Sequence, residues 1–137
     1  MGKREVMVWV PGEPVPKARP RMTRSGHVYT PKRTADYEAA VKAAWRETGA
    51  EKWHEGDLFI HLYFYLPIPK GYSKGKAELA KDGEIRPNKK PDWDNLAKAV
   101  CDALNGLAYE DDRQITDARV SKRYGEKPGV LITIVEL

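Results

Sequence analysis

Asp92 and Asp94 stand one residue apart in KPDWDNLAKAVCDALNG, Lys90 to Gly106, and Lys98 follows Asp94 by one helical turn. Carboxylates so placed can do either of two jobs. Asp94, ahead of Asn95 and Leu96, can cap a helix, worth about 1 kcal/mol, and Asp92 suits the positive end of the helix dipole. Asp94, Lys98 and Asp102 also recur at i, i+4 and i+8, a spacing that allows a surface ion-pair ladder worth about 0.3 kcal/mol per step. Alternatively, the pair holds a divalent cation.

A second acidic cluster, Glu110-Asp111-Asp112, follows the same segment. A helix rises roughly 1.5 Å per residue, and a strand returning from its end can carry Asp112 back toward Asp92 and Asp94. Carboxylates gathered from two segments make a hard, all-oxygen site suited to Mg²⁺ or Mn²⁺, which water and substrate phosphate complete. No Cys/His spacing supports zinc. Such a site needs a polyanion to act on, and two basic segments could guide one in. Pro14 to Arg33 holds Lys17, Arg19, Arg21, Arg24, Lys32 and Arg33 and no acid. Lys89 and Lys90 come just before Asp92. Lys and Arg contacts to phosphate would supply most of the affinity, with strong salt dependence. The bland alternative for the Lys-rich stretch is a solvated surface.

The elements that must position these residues follow from pattern. Val6 to Val10 reads as a strand closed by Pro11-Gly12. The prolines of the basic segment forbid a regular helix, so an extended arm or loop is expected. Thr34 reads as the N-cap of a helix bearing Tyr37, Val41, Ala44 and Trp45 on one face and ending near Gly49. Leu58 to Pro69 reads as a central strand, and Lys70 to Lys90 as a long polar loop. The helix after Asp92 carries Leu96, Val100, Ala103 and Leu104 as its apolar stripe, with Gly106 beyond its end. Trp93, between the two acids, is expected to point away from both and to pack rather than to stack on a base. Gln114 to Tyr124 and the closing VLITIVEL are strands. The order β-α-β-α-β-β predicts an α+β domain, a mixed sheet with two main helices packed on it.

At 137 residues with a net charge of +4, one domain over residues 1–137 is expected, with a basic excess that favours an acidic partner. The lone cysteine, Cys101, cannot form an internal disulfide or a zinc-thiolate cluster; it reads as an inert helix-core thiol, and a cytoplasmic, reducing setting is expected. No apolar run approaches the roughly 20 residues that a membrane helix needs. The N-terminus shows no signal cleavage site, and Val6 stands where a myristoylation motif wants Ser or Thr.

KPDWDNLAKAVCDALNG followed by YEDDRQI resembles the signature of the RusA family of Holliday-junction resolvases, an Asp-x-Asp-Asn-Leu-x-Lys run, then Asp-Ala-Leu, then an Asp-Asp pair before a Gln. PGEPVPKARPR and YTPKRTADYE are similar to the Gram-positive and phage branch of that family. The resemblance covers nearly the whole chain. It implies a small, dimeric, Mg²⁺-dependent endonuclease, with Mn²⁺ able to substitute, that cuts branched DNA in recombination and repair and is often found in prophages. It places the metal-binding aspartates on Asp92, Asp94 and Asp112 and the catalytic lysine on Lys98, with Asp111 matching a neighbouring acid. Lys17, Arg19, Arg21, Arg24, Lys32, Arg33, Lys89 and Lys90 are the expected DNA contacts. Three other readings remain open: a metal nuclease for flaps or simple duplex, a non-enzymatic nucleic-acid-binding module with an acidic helix cap, and a metal-dependent phosphatase on a small substrate.

Overall fold

The computed structural model describes residues 3–137. Alternation of apolar and polar side chains builds a sheet with one covered face. Its strands are β1 (Glu5–Pro11), β4 (Leu58–Pro67), β5 (Ile115–Gly125) and β6 (Gly129–Glu136). The sheet order is β1-β6-β4-β5. β6 runs antiparallel to both β1 and β4, and β4 and β5 are parallel. Val8 and Val10, Leu58 to Phe64 by alternate residues, and Val130, Ile132 and Ile134 all point to the same side and are buried. On that side lie α1 (Lys32–Glu47), through Tyr37, Val41 and Trp45, and α3 (Trp93–Leu104), through Leu96, Ala99, Val100, Ala103 and Leu104. The expected α+β class with a mixed sheet is what the chain forms. Among the described residues, no helix is long and apolar enough to cross a membrane.

Two elements depart from expectation. The basic arm folds into a short hairpin, β2 (Arg21–Met22) with β3 (Val28–Tyr29), turned at Gly26. The positive φ of Gly26, 86°, suits a residue without a side chain there. The Lys70–Lys90 stretch contains α2 (Lys74–Lys81), whose N-cap Ser73 accepts a bond from the Lys76 amide. Its Ala80 packs with Leu66 and Tyr124 in a small second cluster. Eight residues with one buried side chain gave too weak a periodicity to be seen in the sequence.

The helix caps also differ. α1 begins at Lys32 after Pro31, and Thr34 lies inside it, buried, with its hydroxyl accepting weakly from the Ala18 amide at 3.4 Å. The tertiary bond to the arm takes the oxygen that the sequence suggested for a cap. Gly49, with φ 67°, follows the C-cap Thr48, as expected for the end of α1.

Among the described residues, no helix covers the other face of the sheet. It presents Met7 and Trp9 from β1, 55% and 41% exposed. Beside them stand His61, Tyr63 and Tyr65 of β4, half-buried. Tyr63 stacks on Tyr65 at 4.9 Å, and Trp9 meets Tyr65 edge-on at 5.9 Å. A Cβ at Gly129 would run into the Trp9 ring, so the glycine lets that ring lie down on β6.

Phe64 is fully buried at the centre of the covered face. Phe64→Ala is expected to lower the unfolding free energy by about 3–5 kcal/mol, read by urea denaturation.

Candidate active site

The start of α3 organises the candidate site. Asp92 is the N-cap, with extended backbone, and its carbonyl accepts the first helical bond, from the Leu96 amide at 3.1 Å. Its carboxylate makes no capping bond. Asp94 lies in the first turn rather than at the cap. Among the described residues, neither carboxylate has a hydrogen bond or ion pair with a protein group, and both are exposed. The capping reading therefore lacks its hydrogen bond. The burial of Leu96 turns the opposite side of the helix outward. Asp94 and Lys98, at i and i+4, share that side.

Basic groups edge this helix start. A cleft of ≈ 480 Å³ is lined by Asp92 and Asn95 of α3, Arg33 of α1 and Lys90. A neighbouring cleft joins Asp92 and Asp94 to Lys89, Lys90 and Lys122. A third, further along α3, places Lys98 beside Arg19. Arg19, Arg21, Arg24, Lys32, Arg33, Lys89 and Lys90 are all exposed. Arg21 and Arg24 lie on the β2–β3 hairpin, and Lys32 pairs with Asp36 at 2.7 Å.

Lys17 is different. Its ammonium lies 2.6 Å from Glu38 and 3.3 Å from Asp102, with its side chain 18% exposed. Its amide donates to the Asn95 carbonyl at 2.8 Å. The residue ties the arm to α1 and α3, and its charge is engaged inside the fold. Burial pulls its pKa down, but the bonds and charges of Glu38 and Asp102 outweigh that and raise it. Lys98 reaches the same acid, 3.3 Å from the Asp102 carboxylate. Of the expected ladder Asp94–Lys98–Asp102, only the second step forms.

Asp112 opens a 3₁₀ turn, Asp112–Gln114, just before β5. Its amide donates to the Asn105 side chain at 2.8 Å, which fixes it beyond the C-terminal end of α3. Asp111 caps this turn. It accepts from the Arg113 amide at 2.9 Å, while the Gln114 side chain accepts from the Asp111 amide. Among the described residues, no three Asp, Glu, His or Cys side chains stand close enough together to hold a metal. Asp112 is therefore not gathered with Asp92 and Asp94. Its charge, with that of Asp102, bears instead on Cys101 and Tyr109. Burial pushes the Cys101 thiol up to about 11, in keeping with an inert core cysteine.

Two side chains were misjudged or missed. Trp93 was expected to pack, but it is 60% exposed beside the acids. Lys122, on β5, was overlooked. Its ammonium donates to the Lys89 carbonyl at 2.8 Å and the Pro91 carbonyl at 2.7 Å. Burial lowers its pKa, and the charge of Asp92 opposes that. Its position alternates with Ser121 and Arg123, which put it on the covered face of the strand, where an apolar residue is the rule. A lysine at such a place was the available signal.

The donors at the start of α3 fit a hard divalent cation. They are carboxylate oxygens without protein partners, and Mg²⁺ is commonly held by one or two carboxylates with water and phosphate completing its shell.

Residues 11–135 match the model of the family described as Endodeoxyribonuclease RusA. The uncharacterized protein YqaN of Bacillus subtilis (strain 168) is 40% identical over 131 residues, which cover 92% of each chain. This chain belongs to the RusA family. The resemblance carried by Asp92 to Gln114 is thereby borne out, and the family is one of endodeoxyribonucleases. In this RusA-family chain the run Asp92 to Lys98 spans the N-cap and first turns of α3.

Asp111→Ala is expected to cost about 1 kcal/mol through the lost cap, read by urea denaturation. Lys17 gives a pH signature. An ammonium whose pKa rises on folding stabilises the fold below its ordinary 10.5, and that contribution disappears as pH climbs past the raised value. The stability gap between wild type and Lys17→Met should be fully present at neutral pH and should narrow only above 10.5, by unfolding curves across pH.

Proposed function

We propose that this protein is a divalent-metal-dependent endodeoxyribonuclease that resolves four-way DNA junctions by paired, symmetric nicks. The observation that carries this reading is the pair Asp92 and Asp94, exposed and without protein partners among the described residues, in clefts edged by Arg33, Lys89 and Lys90. Membership of the RusA family supports the nuclease chemistry. Asp92 and Asp94 would hold Mg²⁺, or Mn²⁺ in its place, with water and phosphate completing the shell; Asp112, the third ligand that the family pattern implies, stands apart from them at the other end of α3 in this structure. When bound, such an ion supplies activation of a water and neutralisation of charge on the scissile phosphate.

The remaining roles fall to side chains. Lys98, one turn from Asp94, steadies charge on the phosphate in the transition state. Arg19, Arg21, Arg24, Lys32, Arg33, Lys89 and Lys90 contact the DNA backbone, so affinity should fall steeply with salt. Lys17 is the weakest of the expected contacts, because Glu38 and Asp102 already take up its charge.

Two nicks placed symmetrically are most simply made by a C₂ dimer. The helix-free face of the sheet, with Met7, Trp9, Tyr63 and Tyr65, is the surface we assign to the second copy. The favoured reading over a small-substrate phosphatase rests on the exposed arginines of the arm and hairpin, which a small substrate leaves unused.

Cleavage of a synthetic four-way junction with Mg²⁺, beside a linear duplex of the same sequence, tests the reading. Paired nicks in the junction alone are expected. Asp94→Asn should abolish them while keeping junction binding, and Lys98→Ala should lower kcat by about a hundredfold or more. Cutting of the duplex as well would remove the junction selectivity, and junction binding without any product would return the two acids to a purely structural role. For the assembly, light scattering should give twice the 15.5 kDa chain mass. Trp9→Glu should give a folded monomer that no longer nicks in pairs.

A further inference from the structure

Lys122 occupies a place that the fold does not require to be charged. It alternates with Arg119, Ser121 and Arg123 along β5, and its neighbours on the same side of the strand, Val120 and Tyr124, pack into the apolar clusters. Opposite it in register is Phe64, at the centre of the core. A lysine there must carry its stem past apolar groups and find acceptors for a half-buried ammonium. It finds two backbone carbonyls, of Lys89 at 2.8 Å and Pro91 at 2.7 Å. They come from the segment that leads directly into Asp92. The same side chain lines the cleft that holds Asp92 and Asp94.

Both carbonyls are free of other backbone partners among the described residues. Through them the edge strand of the sheet grips the loop, and the loop ends at the N-cap of α3. An ammonium has three donors. The two carbonyls take two of them. A methionine at this position would fill the same space and keep the packing, but it would release the loop.

We propose that Lys122 is a positioning residue for the RusA-type site: it fixes the Lys89–Pro91 backbone, and so sets where Asp92 stands relative to Asp94. It acts through Asp92 and does not itself touch the scissile phosphate. The proposal rests on the nuclease reading for its catalytic consequence, but the anchoring of the loop can be measured without any nuclease assay.

The test uses the full chain, wild type beside Lys122→Met. Hydrogen exchange of the peptide spanning Lys89 to Leu96, without metal or DNA, reads the anchor. Faster exchange there, with the melting temperature held to within a few degrees, is expected. Unchanged exchange would overturn the proposal. Junction cleavage at saturating Mg²⁺ reads the consequence. We expect kcat to fall at least tenfold while junction binding without metal stays within threefold. Cleavage at the wild-type rate would overturn the proposal, as would a loss of binding, melting temperature and cleavage together, the mark of a merely structural lysine. Lys122→Cys in a Cys101→Ala background, alkylated with 2-bromoethylamine, rebuilds the ammonium on a stem of the same length. Recovery of both kcat and slow exchange supports the positioning role, and alkylation without recovery counts against it. If wild type itself cuts no junction, the nuclease reading falls while the exchange arm still decides the anchor.

Discussion

The docking of α3 against the covered face of the sheet is the constraint on which the site depends. Leu96, Ala99, Val100, Ala103 and Leu104 have no exposed surface, and their spacing leaves the helix a single rotational setting. Burying five such side chains is worth several kcal/mol at about 25 cal/mol per Å² of apolar surface, far more than any surface ion pair on the same helix. Once that stripe is fixed, Asp94 and Lys98 must face outward. The helix does not choose its chemistry; its apolar side dictates where the polar side looks.

Rotation alone does not hold the start of α3 in place. Two lysines from distant segments do that, and both reach main-chain or carboxylate oxygens instead of solvent. From the arm, Lys17 bonds Asn95 through its amide and Asp102 through its ammonium. From β5, Lys122 holds the two carbonyls before Asp92. A chain with a net charge of +4 thus keeps some of its cations away from solvent roles. Its nominal charge overstates the positive surface available to a polyanion.

Much of this was legible in the sequence because it is periodic or compound. β4 alternates buried and half-buried side chains along its length and α3 carries a clean apolar stripe, so both could be read from spacing, whereas β5 alternates only loosely. The Asp92 to Gln114 pattern could be read because several residue types recur together at fixed offsets. What stayed hidden is what tertiary contact decides. Thr34 carries a capping side chain, yet its oxygen serves Ala18. Lys17 reads as one more cation of a basic arm, and only the nearness of Glu38 and Asp102 shows otherwise. Asp111 and Asp112 are adjacent acids with no local cue to separate them, but one caps a 3₁₀ turn and the other hangs from Asn105. The β2–β3 hairpin is too short for alternation to announce it.

Asp102 lies between two ammonium groups, Lys17 on its buried side and Lys98 on its exposed side. The two pairs are unequal. Lys17 is largely enclosed, while Lys98 is 61% exposed, so the Lys98 pair is worth only about 0.2–1 kcal/mol. Lys98 can swing away without leaving a bare carboxylate behind, because Lys17 stays. The pair therefore draws the Lys98 ammonium one turn along α3, away from the helix start, in a contact that can be given up cheaply because Asp102 stays paired to Lys17.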